Sequence, residues 1–189
     1  MILAGGQSRR MGQDKALLMV KGVPLIRHTI DTVQSVTQTI FVMTPRIEKY
    51  RALVTPDCEL VKELSPTQGP LAAFSRILPR INQDWILLLA CDLPHLSITA
   101  LQTWVSYLPD VSDDTVAVLP RHSKGWEPLC GFYHRRCLRS LQAFVQHGGR
   151  SFQDWLSQVA VTELPLTDVK TVFNCNTPED WQKFQSQFP

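Results

Sequence analysis

The chain has 189 residues, of which 44% are hydrophobic and 19% are charged, so it is expected to fold as one globular domain and not to be disordered. Its formal net charge of +2 argues against a protein that coats nucleic acid, because such proteins carry a larger and clustered basic excess. No apolar run approaches the roughly 20 residues that span a membrane, and we expect no signal peptide.

Short apolar runs alternate with amphipathic stretches along the chain, which predicts an α/β sandwich with a mostly parallel sheet. The predicted strands are residues 1–4, 39–43, 85–90, 115–119 and 129–133. The predicted helices are residues 24–35, 70–78, 98–108, 136–146 and 178–188. Thr177 is expected to be the N-cap of the last helix, with Asp180 three residues on in a capping box.

The first predicted strand is unusually short. Only Met1–Ala4 precede the paired glycines Gly5 and Gly6, whereas strands usually run about 5 residues. We therefore expect the recorded chain to begin inside its first strand.

The strongest candidate for chemistry follows this strand, where ligands bind in open α/β sheets. The chain reads LAGGQSRRMGQDK from Leu3 to Lys15. Glycines let the backbone approach an anion, and Arg10 and Lys15 add positive charge that can hold a triphosphate. The spacing is neither that of a P-loop nor that of a dinucleotide fingerprint. The alternative, a solvated basic loop, is disfavoured by the complete string.

A second candidate is Asp92, directly after the most hydrophobic strand. A carboxylate at the carboxyl edge of a sheet is suited to Mg2+, which takes one or two carboxylates together with substrate phosphates. The alternative is an N-cap for the following helix. Since Pro94 and Ser97 offer competing helix starts, the metal role is preferred.

Three further signals are weaker. Gly69 opens a helix of small residues that would admit a flat ligand. Asn174 and Asn176 lie at an extended strand end, where the alternative is turn and capping chemistry. Arg150 follows two glycines and could meet an anion; equally, the glycines could end one helix while Ser151 caps the next.

The string LAGGQSRRMGQDKALL resembles the signature loop of the molybdenum cofactor guanylyltransferases, within the nucleotidyltransferase superfamily. The strings GPLAA, ACDLP, GGRSF and NCNTPEDW also match that family, so the resemblance spans nearly the whole chain. Relatives that use CTP generally carry Ala-Ala-Gly where this chain has Ala4, Gly5 and Gly6, which favours GTP. The resemblance implies a Rossmann-like nucleotidyltransferase fold, one domain over residues 1–189, whose N-terminal part binds nucleotide and whose C-terminal part binds the acceptor.

The resemblance also implies roles for individual residues. The platform for guanine and ribose would be Leu3, Ala4, Gly5 and Gly6, with Gly69 near the base. The phosphate-binding residues would be Arg10, Gly12 and Lys15. Asp92 would bind Mg2+ and act in catalysis with Arg10 and Lys15. The acceptor-binding residues would be Arg150, Asn174 and Asn176.

One departure concerns the region of Lys62. The family commonly has an aspartate there that contacts the nucleotide. In this chain Lys62 has the matching spacing and Glu63 stands beside it, so the residue that makes this contact is left open.

The reaction that the resemblance implies joins GMP to the molybdenum cofactor. A terminal phosphate oxygen of Mo-molybdopterin would attack the α-phosphorus of GTP, and pyrophosphate would leave, giving molybdopterin guanine dinucleotide. Two alternatives are a nucleotidyltransferase that uses another nucleotide or acceptor, such as CTP or a sugar phosphate, and a non-catalytic protein that binds nucleotide or cofactor.

The expected partners are GTP and Mo-molybdopterin, together with transient contacts to the proteins that deliver and receive the cofactor. No nucleic acid or membrane partner is expected. The protein is expected to be a monomer. The five cysteines form neither a zinc nor a disulfide pattern, which favours reduced thiols in a cytoplasmic protein.

Overall fold

The computed structural model of the protein describes residues 1–5, 14–64, 68–123 and 125–186. The strands are β1 (Ile2–Leu3), β2 (Met19–Val20), β3 (Val23–Pro24), β4 (Ile40–Thr44), β5 (Cys58–Lys62), β6 (Trp85–Ala90), β7 (Ala117–Leu119), β8 (Arg121–His122), β9 (Gly125–Trp126), β10 (Cys130–His134) and β11 (Val161–Glu163). The helices are α1 (Leu25–Val33), α2 (Ile47–Tyr50), α3 (Gly69–Ile77), α4 (Ile98–Tyr107), α5 (Leu138–Gln146), α6 (Phe152–Leu156) and α7 (Pro178–Gln185).

Seven strands form the central sheet, in the order β11-β7-β10-β6-β1-β4-β5. All neighbouring strands are parallel except for β10, which is antiparallel to both β6 and β7. The carboxyl ends of the parallel strands therefore share one edge with the amino end of β10. Two short hairpins, β2–β3 and β8–β9, lie outside this sheet. The predicted mostly parallel α/β fold is confirmed.

Helices cover both faces of the sheet because its strands are apolar on both. In β6, Leu87 and Leu89 belong to one buried cluster, while Ile86 and Leu88 belong to another. The first cluster includes side chains of α1 and α4, and the second includes side chains of α3, α5 and α6. This arrangement gives the three layers that alternating buried strands and amphipathic helices predict.

The predicted strand at residues 85–90 matches β6, and the other predicted strands are displaced or shortened by one to two residues. The short β1 pairs on both sides, Ile2 with Val42 of β4 and with Leu89 of β6. Pro24 belongs to β3, and α1 begins one residue later than predicted, at Leu25. Residues 187 and 188 of the last predicted helix lie outside the described residues.

Eight of these strands and helices were not predicted, namely β2, β3, β5, β8, β9, β11, α2 and α6. Helices α2 and α6 have 4 and 5 residues, too few for a helical period to emerge from the sequence. Strand β5 is at the sheet edge and its residues are only partly buried, so its sequence lacks a continuous apolar run. Among the described residues, no helix is both long and apolar enough to cross a bilayer.

The predicted capping box at the start of α7 is present. The Thr177 hydroxyl accepts a hydrogen bond from the backbone N–H of Asp180 (3.2 Å), and Asp180 Oδ2 accepts one from the N–H of Thr177 (2.9 Å). The same carboxylate oxygen also accepts from the N–H of Asn176 (3.0 Å). The cap therefore fixes the backbone of a predicted site residue as well as the helix.

We expect Thr177→Ala to lower the free energy of unfolding by about 1 kcal/mol, because the substitution leaves an N-terminal N–H of α7 without its acceptor. Urea denaturation of both proteins measures the change. Thr177→Ser keeps the hydroxyl and should retain most of the stability. Equal stability of the alanine and wild-type proteins would contradict a stabilising cap.

Candidate active site

Three side chains from distant parts of the chain meet at the carboxyl edge of the sheet. Lys15 Nζ donates hydrogen bonds to Asp92 Oδ2 (2.8 Å) and to Asn176 Oδ1 (2.7 Å). These partners are 77 and 161 positions away in the sequence. The side chains of Lys15 and Asp92 are only 15% and 13% exposed. The structure thus brings together one predicted phosphate-binding residue (Lys15), the predicted metal-binding residue (Asp92) and one predicted acceptor-binding residue (Asn176).

Backbone contacts hold Asp92 between the first strand and the segment before α7. The N–H of Cys91 donates to the carbonyl of Leu3 (3.1 Å), and the N–H of Cys175 donates to the carbonyl of Asp92 (3.1 Å). The N-cap of α4 is Ser97, whose hydroxyl accepts from Ala100 N–H (3.2 Å). Asp92 is therefore not the cap of that helix, which removes the structural alternative for its carboxylate.

The second carboxylate oxygen of Asp92 has no hydrogen-bond partner among the residues that the structure describes. Oδ1 is buried and accepts no hydrogen bond from any described residue. A buried acceptor without a partner costs free energy, so such an oxygen calls for a ligand. The described residues contain no group of three His, Cys, Asp or Glu side chains that could hold a metal. A cation at Oδ1 would accordingly take most of its ligands from phosphates and water, which is the habit of Mg2+.

Asp14 anchors the turn that carries Lys15, and sequence reasoning missed this role. Its side chain is 9% exposed and caps the 3-10 turn Lys15–Leu17. The Asp14 carboxylate accepts hydrogen bonds from Ala16 N (3.2 Å), Arg46 (3.1 Å), Lys49 (2.8 Å) and the Tyr50 hydroxyl (2.7 Å). The signal was an N-cap residue directly before Lys15, but three of its partners lie on or beside the unpredicted α2.

The end of β1, the predicted nucleotide platform, is closely packed. Ala4 N–H donates to the carbonyl of Met43 (2.9 Å), which ties Leu3 and Ala4 to β4. A methyl group added at Gly5 would collide with the carboxylate of Glu63. Glycine is therefore the residue that lets this carboxylate lie against the backbone.

The contact of Glu63 with Gly5 also indicates which of Lys62 and Glu63 reaches the predicted nucleotide platform. Lys62 is exposed at the end of β5, whereas Glu63 is half-buried over Gly5 and its N–H donates to Thr44 O (2.9 Å). Desolvation raises the pKa of the Glu63 carboxyl. Glu63 is thus the acidic residue that reaches the predicted nucleotide platform.

The remaining predicted nucleotide residues are placed as follows. Gly69 begins α3 with a φ of +81°, a conformation that favours glycine, and the space beside its Cα is open. Gly6, Arg10 and Gly12 lie outside the described residues, so their roles stay predictions.

A cavity of about 860 Å³ opens beside Asn176, the hydrogen-bond partner of Lys15, on the side of the predicted acceptor residues. Asn174 and Asn176 both line it, as residues two apart in an extended segment share a side. Arg150 is not among the described residues that line it. Its guanidinium donates to the carbonyls of Val145 (3.3 Å) and Gly149 (2.9 Å) at the end of α5, and Ser151 caps α6. In this structure the helix-end alternative accounts for Arg150, and acceptor binding by this residue stays a prediction.

Comparison with known proteins identifies similar chains over the full length. A family model described as the MobA-like NTP transferase domain matches residues 1–161. A probable molybdenum cofactor guanylyltransferase from Nostoc sp. is 49% identical, with 99% of this chain and 90% of the relative covered. A molybdenum cofactor guanylyltransferase from Aliivibrio fischeri is 32% identical, with 97% and 93% covered. The crystal structure of molybdopterin-guanine dinucleotide biosynthesis protein A from Archaeoglobus fulgidus has a TM-score of 0.80 at 22% identity, with 99% and 98% covered.

We expect Asp14→Ala to lower the free energy of unfolding by roughly 1–3 kcal/mol, because the Tyr50 hydroxyl and the Lys49 ammonium lose their acceptor in a partly buried site. Urea denaturation measures the change. Arg46→Ala is the matched control: it removes one partner whose side chain is 54% exposed, and should cost at most about 1 kcal/mol. Equal effects of the two substitutions would contradict the anchoring role of Asp14.

Proposed function

The chain belongs to the family of MobA-like NTP transferases, and from this we propose that it transfers GMP from GTP to the terminal phosphate of Mo-molybdopterin. The products are molybdopterin guanine dinucleotide and pyrophosphate. The observation that carries the proposal is the contact of Lys15 with Asp92 and Asn176 at the carboxyl edge of the sheet. It joins the predicted nucleotide and acceptor halves at one point, and the names of the full-length relatives supply the two substrates.

The buried, unpartnered Oδ1 of Asp92 fits a divalent cation, and we propose Mg2+ as that cation. When bound, it neutralises charge on the triphosphate, which is the main requirement of this class of transfer. Asp92 is the residue that would hold it. No other carboxylate is needed in the site if substrate phosphates complete the coordination.

Lys15 is suited to bind phosphate while it keeps its present contacts. An ammonium has three donors, and within the described residues Asp92 and Asn176 take two of them. The third is left for an oxygen of the triphosphate. The lysine would thereby fix the phosphates relative to the Asp92 carboxylate, and Arg10 would add a second positive charge.

The transfer itself needs no protein nucleophile. A phosphate oxygen of the acceptor forms a bond to the α-phosphorus, and the bond from this phosphorus to the bridging oxygen of pyrophosphate breaks. The protein contributes positioning and charge neutralisation. We propose that Leu3–Gly6 and Gly69 hold the nucleoside and that Gly12 binds the phosphates. Glu63 lies against Gly5 in the proposed platform of Leu3–Gly6.

Asn174 and Asn176 line the cavity of about 860 Å³ described above, which we propose as the acceptor cavity. The monomeric state, the cytoplasmic location and the transient contacts with proteins that deliver and receive the cofactor stay predictions.

The proposal is tested by pyrophosphate release in the presence of Mg2+, molybdopterin and molybdate, with GTP, CTP and ATP compared. We expect release with GTP that depends on the pterin. Faster release with CTP would favour a cytidylyltransferase instead. Binding of GTP without any release would favour a non-catalytic protein that binds nucleotide or cofactor.

We expect Lys15→Ala to reduce turnover by about 100-fold or more, comparable to the loss of one donor to a developing oxyanion. Steady-state pyrophosphate release measures the effect. Lys183→Ala, an exposed lysine on α7, serves as the control and should leave turnover unchanged. Normal turnover of the Lys15→Ala protein would remove this lysine from the mechanism.

A further inference from the structure

Trp126 lies in the wall of the acceptor cavity, and hydrogen bonds fix its backbone. Gln153 of α6 donates through Nε2 to the carbonyl of Trp126 (2.6 Å) and accepts through Oε1 from its N–H (3.2 Å). Gly125 has a φ of +120°, and a Cβ at this position would lie 2.8 Å from Gln153 Oε1. The guanidinium of Arg121 lies over the Trp126 ring, 5.1 Å from its centroid. These contacts fix the backbone of Trp126 in the cavity wall, with the Arg121 guanidinium over its indole ring.

The next residue, Glu127, presents a carboxylate in the same cavity. Its side chain is 17% exposed, and its backbone N–H donates to the carbonyl of Pro120 (2.9 Å). Its Oε2 is 3.1 Å from His122 Nε2, and Asn174 lines the same cavity. Burial raises the pKa of Glu127. The transfer chemistry described above makes no use of this group.

Glu127 is connected to the reacting centre through one short extended segment. Asn174 lines the cavity together with Glu127, and Asn176, two residues on, lines it too and contacts Lys15 Nζ. A molecule in the cavity that touches Glu127 can therefore extend along Asn174 to Asn176, the partner of Lys15. Of these two charged groups, Lys15 attracts a phosphate and the Glu127 carboxylate repels one.

A carboxylate next to an aromatic residue in a cavity wall is complementary to a planar ring with two adjacent N–H donors. The acceptor in the proposed function carries such a ring, because a pterin has a ring N–H next to an exocyclic amine. We propose that Glu127 determines acceptor specificity by accepting hydrogen bonds from these two donors. The inference rests on the proposed function, and it assigns the pterin end of the acceptor to Glu127 and the phosphate end to Lys15.

The test compares two stable probes that differ at the donor edge. One is a 6-hydroxymethylpterin phosphate, and the other is the matching lumazine, in which an oxygen replaces the exocyclic amine. Titration calorimetry gives the dissociation constants. We expect the wild-type protein to bind the pterin at least about 10-fold more tightly than the lumazine, because the lumazine keeps the ring N–H but places a carbonyl oxygen against the partly buried carboxylate where the pterin has an amine donor.

Glu127→Gln should lose most of this discrimination, because one acceptor oxygen becomes an amide donor. GTP affinity should not change. His122→Ala is the matched control: it removes an exposed partner of Glu127 but keeps the carboxylate, so the preference for the pterin should persist. A residue that only supported the fold would alter the binding of both probes equally.

Equal discrimination by the wild-type and Glu127→Gln proteins would overturn the inference, as would equal affinity of the wild-type protein for the two probes. The probe measurement is independent of turnover. If pyrophosphate release fails while the Glu127-dependent preference is present, the proposed reaction falls and the pterin site remains. If release succeeds without that preference, only the role of Glu127 falls.

Discussion

The ion pair of Lys15 with Asp92 is the contact on which the arrangement of the site depends. Burying either charge alone would be costly, and the pairing at 2.8 Å, together with the hydrogen bond to Asn176, compensates both. The three residues come from the turn before β2, the end of β6 and the segment before α7. A separate apolar cluster of Leu18, Leu25, Cys175, Trp181 and Phe184 packs α7 against that first turn. Polar and apolar contacts therefore hold the same two ends of the chain together.

The layered fold and the centre of the site could be predicted from the sequence because they depend on long or strongly patterned segments. The apolar run of β6 defines a buried strand, and a carboxylate that follows such a strand must stand at the ligand edge. Asp92 was found in this way, and Lys15 was found from the string of glycines and basic residues that follows β1. The contact between them could not be derived, because it requires the relative placement of segments 77 residues apart.

Residues whose role depends on short elements were beyond this reasoning. Asp14 contacts side chains on and beside the four-residue α2, and Glu127 follows a hairpin of two-residue strands. The choice between Lys62 and Glu63 depends on where β5 ends, since neighbouring residues of an extended chain face opposite sides. Arg150 shows the converse: a glycine-rich turn with an arginine suits an anion site and a helix end equally well, and only the carbonyls of Val145 and Gly149 distinguish them.

Because β10 runs antiparallel to its neighbours, the two halves of the candidate site come from different kinds of chain segment. Cys130 pairs with Leu89 and His134 with Trp85, so the residues that lead into β10 arrive beside Asp92. The proposed nucleotide side is built from segments that follow parallel strands, whereas the hairpin and Glu127 precede an antiparallel one. On this proposal, substitutions or insertions between β7 and β10 would alter what the acceptor cavity admits without disturbing the phosphate contacts assigned to Lys15. Exchange of the segment between β7 and β10 would then be a route, in evolution or in protein engineering, to enzymes of this fold that use other acceptors.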